Sequence, residues 1–327
     1  MSFSLKGLIA SFALASALTL PAAAQSTYPT QPITIVVPFS AGGPTDTVTR
    51  LIAQSMSSDL GQQVLVQNVG GAGGTLGAGQ VAKAKPDGYT LLLHHIGMST
   101  APTLYRNLGF DPVKDFAPVG LVTSVPMTIV ARKDFEPADM AALVAHLKKD
   151  GTNVTYANAG IGSASHLCGM LLQETLGVQM VTVPYQGAAP AMTDIVGGQV
   201  DLICDQTTNT TNQIKAGEVK AYAVTSPERL ASLPDLPTTK EAGLEKLDIG
   251  VWHGIYGPAG MDPAIVARLQ ESLKKALTNE TVKARFAELG TAPVSADEAS
   301  PEALGKELSS QIAQWKPIIE AAGVYAN

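Results

Sequence analysis

The chain has 327 residues, with 22 Lys+Arg against 28 Asp+Glu (net charge −6), 45% hydrophobic and 15% charged residues. At roughly 150 residues per domain, this is enough for two domains with real cores, and it is too apolar for disorder. The acidic balance leaves no basic face for nucleic acid, 5% aromatics offer few stacking platforms, and two cysteines cannot build a zinc ribbon or a disulfide scaffold.

Residues 1–24 read as a cleaved secretory leader. Lys6 supplies the positive start, residues 8–20 an apolar stretch too short to span a bilayer, and Ala22-Ala23-Ala24 a small-residue cleavage site before Gln25. The remainder is then expected in the periplasm. That compartment is oxidising, so Cys168 and Cys204 are expected to pair as one disulfide.

Beyond the leader, strand and helix alternate. Residues 33–39 form a β-branched apolar run. The loop Ser40-Ala41-Gly42-Gly43-Pro44 follows, then a predicted helix in which Val48, Leu51, Ile52, Met56 and Leu60 recur at helical spacing up to Gly61. Residues 63–69 alternate as a strand and precede Gly70-Gly71-Ala72-Gly73-Gly74 and a short Ala-rich helix to Lys85. A turn at Pro86-Asp87-Gly88 leads to a buried strand over 89–93, and residues 121–131 read as extended. A helix over 137–149 follows, then strand 153–157, helix 164–176, strand 180–184, helix 189–196 and strand 200–204. After a Thr/Asn-rich segment come strands over 220–225 and 249–256, and helices over 263–277, 281–289 and 301–322. Repeated βα units predict an α/β fold with mainly parallel sheets covered by helices. The series divides into two lobes, residues 25–128 plus 249–327 and residues 129–248. A ligand would sit in the cleft between them, at the carboxyl ends of the strands.

Four strand-to-helix loops share one chemistry: residues 39–46, 70–75, 160–166 and 185–190. Each places small residues at a predicted helix start, where free N–H groups and the helix dipole attract anions. Gly77-Ala78-Gly79-Gln80-Val81-Ala82 loosely fits a dinucleotide fingerprint but lies inside a helix, and no Walker sequence occurs, so a phosphate cradle fits poorly. A carboxylate needs only a few donors. Ser163 lacks the G-x-S-x-G elbow, and His166, three residues on, has no orienting partner in sequence, so His166 reads as a packing or hydrogen-bonding residue. The five histidines show no metal spacing. His94 and His95, adjacent in a strand, point to opposite faces, so at most one reaches the cleft, and His146 reads as surface. Asp46, Asp194 and Asp205 follow glycine loops or strand ends.

The run Pro38-Phe39-Ser40-Ala41-Gly42-Gly43-Pro44-Thr45-Asp46 resembles the first signature of the substrate-binding proteins of tripartite tricarboxylate transporters, the Bug family. Gly70 to Gly77, Pro86 to Leu92, Gly162 to Leu167 and Pro184 to Ala191 resemble its further motifs, in the family's order and across nearly all of the chain beyond the leader. The resemblance implies a two-lobed periplasmic binding protein of Venus-flytrap, type II-like form, without cofactor or metal. It is expected to act as a monomer, to close on a small organic carboxylate and to deliver it to large and small membrane permease subunits. One carboxylate would be held by Phe39, Ser40, Ala41, Gly42, Gly43, Thr45 and Asp46 with the Gly73-Gly74-Thr75 turn. Ser163, Ser165 and the Gly187–Ala188 backbone would add donors from the second lobe, with His166 beside them as a candidate site residue and Asp205 near the cleft.

The segment His94-His95-Ile96-Gly97-Met98-Ser99-Thr100 departs from the small residues usual for the family after this strand. It makes His94 or His95, Ser99 and Thr100 candidates for a second polar end of the ligand, with Phe39 and Tyr185 lining an apolar middle. An aromatic dicarboxylate such as terephthalate is the leading expectation, followed by di- and tricarboxylates of four to six carbons. The alternatives are a periplasmic hydrolase using Ser163 and His166, and a carboxylate sensor working with a membrane kinase.

Overall fold

The structure, a computed structural model, describes residues 28–326; the expected leader lies outside the described residues. Strand β1 (Ile33–Val37) is a β-branched run with four of its five residues buried. It pairs in parallel with β2 (Val64–Asn68) on one side and β3 (Thr90–His95) on the other. Between β1 and β2 runs α1 (Pro44–Leu60), whose Val48, Ile52, Met56 and Leu60 form a buried stripe. Full burial of each such side chain is worth about 1.5–3 kcal/mol. Gly61 ends α1 in the left-handed conformation (φ 68°), and its N–H donates to the Ser57 carbonyl. Helices α2 (Thr75–Ala82) and α3 (Gly97–Leu104) flank β3 in the chain.

Strand β4 (Phe116–Arg132) is 17 residues long and serves two groups of strands. Up to Pro126 it pairs with β9 (Gly250–Pro258); from Met127 it pairs with β7 (Leu202–Gln206) and β8 (Val219–Val224). Strands β5 (Thr155–Asn158) and β6 (Val181–Pro184) extend the second group, giving the order β2-β1-β3-β9-β4-β7-β5-β6 with β8 also on β4. Helices α4 (Met140–Asp150), α5 (Ala164–Leu176), α6 (Ala188–Val196) and α7 (Thr207–Lys215) pack on this second group of strands. The final helices α8 (Pro263–Thr278), α9 (Glu280–Glu288) and α10 (Pro301–Ala322) return to the first, where α8 packs on α1 and α10 on α3 and β4.

The sheets are mixed, which corrects the expectation of mainly parallel ones. The β1–β2, β1–β3, β5–β6 and β5–β7 pairs are parallel, as βα units require, but every pair made by β4 or β9 is antiparallel. A chain that crosses to a second lobe and returns through the same waist must run its two crossing strands in opposite directions. Once β4 and β9 pair, their neighbours inherit that orientation. Two helices also lie where none was predicted. Helix α3 carries Gly97 and Pro102, and α7 is built from Thr and Asn, all poor helix formers. Burial overrides propensity in α7: Thr207 and Thr211 donate to the carbonyls of Gly290 and Leu289, and Thr210 bonds Thr128 on β4. His146 is half-buried rather than fully at the surface, its ring edge-on to Phe135.

Candidate functional site

The loops after β1, β5 and β6 converge on one narrow cavity with a free volume of about 10 Å³. Pro44 and Thr45 line it from the start of α1, Ser163, Ala164 and Ser165 from α5, Ala188 from α6, and Asp205 and Gln206 from the end of β7. Phe39, His95 and Ala159 complete the wall, and no Lys or Arg is among the lining residues. The sequence explains the convergence: each loop is short and built of small residues, so it turns directly from a strand into the start of a helix.

Those N-termini are open. Helix α1 begins at Pro44 after Gly43, with no side-chain cap, so the N–H groups of Thr45 and Asp46 have no acceptor within the helix. Helix α6 begins in the same way after Gly187, and α7 after Gln206. Helix α5 differs. Ser163 Oγ accepts from the His166 N–H at 3.3 Å and lies 3.1 Å from Ser165 Oγ, which accepts from the Ala159 N–H at 2.9 Å. Whichever hydroxyl donates within that pair, one O–H proton remains for a ligand.

Three buried histidines cluster on the first-lobe side, where His95 reaches the cavity wall and His94 and His253 do not. His94 Nδ1 accepts from the His95 N–H (2.8 Å), and His95 Nδ1 from the Gly97 N–H (3.0 Å). Each neutral ring therefore carries its proton on Nε2. His253 Nδ1 bonds the Val251 carbonyl at 3.0 Å, which turns Nε2 into an acceptor 3.5 Å from Thr45 Oγ1. Burial, reinforced by His253, lowers His94 to about 3. Burial, then His94 and His253, holds His95 well below its ordinary value, and burial lowers His253 to about 4. These rings are neutral dipoles at any physiological pH, not cations. The His95 ring stacks on Phe39 with centroids 4.6 Å apart, and His94 meets Phe39 edge-on at 5.6 Å.

The candidate residues separate into three groups. Phe39, Thr45, His95, Ser163, Ser165, Ala188 and Asp205 surround the cavity. Gly43, His94, Gly74 and Gly187 are not among the residues that line it, and Gly73 lines an outer groove with Tyr105 and Tyr185. His94 Nε2 would lie 2.8 Å from a Cβ at Gly74, a Cβ at Gly73 would fall on the Ile161 carbonyl oxygen of the facing lobe, and one at Gly187 would fall on Ser40 Oγ. Ser40 Oγ is itself buried without a hydrogen-bond partner among the described residues. Tyr105 OH donates to the Ile161 carbonyl at 2.7 Å, so the lobes are closed on each other.

The remaining candidates are occupied elsewhere. Asp46 accepts from the Gly42 N–H (2.9 Å) and Arg50 Nε (2.8 Å) on one oxygen and from Asn68 Nδ2 (2.9 Å) on the other. Burial opposes its ionisation, yet these bonds prevail and lower its pKa. Its carboxylate clamps the loop and leaves only the Asp46 backbone N–H for a ligand, and Ala41 and Gly42 are exposed outside the cavity. Thr75 donates to the Ala72 carbonyl within its own turn. Ser99 donates to the Ile96 carbonyl, and Thr100 lies 3.3 Å from the carbonyls of Gly97 and Gly162, because α3 folds both back on the backbone. Tyr185 OH donates to Asp194, and its ring lines an outer groove beside Tyr105 rather than the cavity. His166 Nδ1 accepts from the Gly162 N–H at 3.3 Å, which ties the ring to its own loop, and burial lowers it to about 4. Among the described residues, the bond between His166 and the Ser163 hydroxyl comes from the backbone N–H and not from the ring.

Pro44, Ala159, Ala164, Gln206 and His253 were missed. Only Gln206 carried a signal, as the polar pair Asp205-Gln206 closing a buried strand; His253 comes from a segment 208 residues from Thr45. In the second lobe, Cys168 on α5 and Cys204 on β7 are joined as a disulfide, with Cα atoms 6.0 Å apart.

Residues 48–324 match the family profile described as the tripartite tricarboxylate transporter family receptor. A UPF0065 protein of Agrobacterium vitis is 54% identical over 95% of this chain and 90% of its own length. The periplasmic binding protein BugD superposes with a TM-score of 0.89 at 51% identity, covering 92% of this chain and all of that one. MatC from Rhodopseudomonas palustris, solved with bound malate, superposes with a TM-score of 0.86 at 39% identity, covering 89% of this chain and all of that one. Two lobes closed on a cavity ringed by helix N-termini, with this match along nearly the whole described length, place the chain in one group: it belongs to the tripartite tricarboxylate transporter receptor family, the periplasmic solute-binding proteins that include the Bug proteins.

Proposed function

We propose that this protein captures an organic diacid of about four carbons in the periplasm and presents it to a membrane permease of the tripartite type. The observation that carries the reading is the convergence of the uncapped α1 and α6 N-termini and the Ser163–Ser165 hydroxyls on one cavity with no cationic side chain. Each helix terminus stabilises a negative charge by about 0.3–1 kcal/mol, and each hydrogen bond to that charge adds about 1.5–3 kcal/mol. One carboxylate would sit on the α1 side, on the Thr45 and Asp46 N–H groups. The other would meet the α5 and α6 starts, with His95 Nε2 as a further neutral donor. Closure of the lobes, residues 28–128 plus 249–326 against 129–248 with the hinge in β4 and before β9, would exchange water around the charges for these donors.

Size favours a short ligand. The free volume of about 10 Å³ is room for about one water, so any ligand must spread the lining, and a short one spreads it least. A relative's bound malate is of this size class. An aromatic dicarboxylate such as terephthalate has less support: Phe39 is stacked on His95 instead of free to take a ring, and Tyr185 lies outside the cavity. Calorimetry with succinate, malate, citrate, benzoate and terephthalate tests the assignment. The expected order places succinate and malate first. A ligand at 100 times its Kd should also stabilise the protein by about 2.7 kcal/mol in thermal unfolding. Tight binding of benzoate, or of terephthalate alone, would remove the short diacid from consideration.

A further inference from the structure

Asp205 is the one acidic side chain in the cavity wall, and it is 1% exposed. Its Oδ2 accepts from Asn209 Nδ2 at 2.6 Å, and no lysine or arginine lines the space it faces. The free space it lines is only about 10 Å³, so a diacid taken in by a modest spreading of the lining must place a carboxylate within a few ångströms of it. Two like charges sealed in that space without a cation repel strongly, whereas a shared proton turns the same pair into a short hydrogen bond. Resting on the carboxylate reading above, we propose that Asp205 is protonated in the closed complex and donates its O–H to one carboxylate of the bound acid, so that capture of the ligand takes up one proton from solvent.

The surroundings agree. On the elements packed around β7, β5 brings Tyr156, a neutral phenol that donates to the Ser165 carbonyl. Helix α5 brings His166, neutral through burial, and Glu174 near its far end. Helix α6 brings Asp194, bonded to Tyr185, and α7 brings Lys215 at its far end, bonded to the Glu288 carbonyl. The charge on β4 is Arg132 at its end, paired with Asp134 and Asp201. Across the cavity stand neutral His95, with His94 and His253 behind it, and Asp46, held by Arg50. None supplies a positive charge to Asp205. Burial pushes its carboxyl up to about 6, against the pull of Asn209 and the Gln206 N–H, and a second carboxylate beside it raises it further. Asn209 then holds the unprotonated oxygen and aims the O–H at the ligand.

Calorimetry with succinate, malate and adipate, each in two buffers of different ionisation enthalpy, reads the proton directly. The result expected for whichever binds at pH 7.5 is uptake of about one proton, with Kd rising up to tenfold per pH unit between pH 6.5 and 8.5. In Asp205→Asn, which keeps a donor in place of the O–H, the ratio of Kd at pH 8.5 to that at pH 5.5 should fall below about threefold and the uptake should vanish. Binding by the native protein without proton uptake, or with a Kd flat from pH 5.5 to 8.5, overturns the proposal and leaves the carboxylate reading intact. Failure of all three acids to bind at pH 5.5 overturns the carboxylate reading, and the proposal with it.

Discussion

The mouths of α1 and α5 face each other across the cavity and are made in opposite ways. Both follow a buried strand and a loop of small residues, yet α1 starts bare, while α5 is capped by its own Ser163. The bare start needs an external brace, and Asp46 supplies it by bonding Gly42, Arg50 and Asn68 at once. The capped start is braced from beneath, by the Tyr156 hydroxyl on the Ser165 carbonyl and by the bond between Cys168 and Cys204. Rigidity comes from charge in one lobe and from covalent and neutral bonds in the other. In both, the brace lies behind the cavity, so the donors that face it are left for the ligand.

The comparison can be broken most severely at the covalent brace. Cys168 and Cys204 are 36 residues apart, so reduction should cost the second lobe about 3–4 kcal/mol in the chain-entropy account. Thermal unfolding with and without reductant should show a clear fall in Tm, and intact mass under non-reducing conditions should show no free thiol; two free thiols would leave α5 braced by hydrogen bonds alone. Next is the contact between the mouths. Gly187 has extended backbone (φ 170°) that any residue can adopt, but a Cβ there would fall on Ser40 Oγ and lie 2.7 Å from Ser40 N. Gly187→Ala should therefore leave the Tm of the free protein nearly unchanged and weaken binding about a hundredfold, or about 2.7 kcal/mol, by holding the lobes apart. Unchanged affinity would mean the closed contact forms no part of binding.

The charged brace should respond to acid, and the neutral one should not. The lowered pKa of Asp46 contributes stability that is present above the unfolded carboxyl value of about 3.9 and is lost as pH falls below it. Asp46→Asn should lose about 1.5–3 kcal/mol at neutral pH and show a flatter acid limb in unfolding from pH 6 to 3. An acid limb identical to that of the native protein would assign the brace to other groups. The smallest effect belongs to the cap: Ser163→Ala should lower stability by about 1 kcal/mol through the start of α5. It should also weaken binding about tenfold or more through the missing hydroxyl. A change in stability with no change in affinity would confine Ser163 to its cap.

Much of this was legible in sequence. The alternation of apolar runs with Gly-rich loops located β1, α1, α5, α6 and the C-terminal helices to within a few residues, because strand and helix periodicity are local properties. The same loops pointed to an anion site through the N–H groups a helix start must leave open. Propensity, also local, gave no sign of α3 or α7, whose Pro102 and threonines are helical only because the tertiary structure buries them.

What the sequence alone determined is which loops carry donors: a helix start without a capping side chain leaves its N–H groups free wherever it is placed. Which of those donors reach one cavity was decided by the tertiary structure. Asp46 and Asp205 both follow small-residue turns or strand ends, yet one is paired with Arg50 four residues on while the other, fully buried, meets Asn209 and the Gln206 N–H and no cation. Tyr185 and Phe39 both flank glycine loops, yet only Phe39 turns inward, held by His95 from a strand 56 residues further along the chain. Orientation and charge at the site depend on partners distant in sequence, and solvation depends on how completely the two lobes close; neither is a property of the segment that carries the residue.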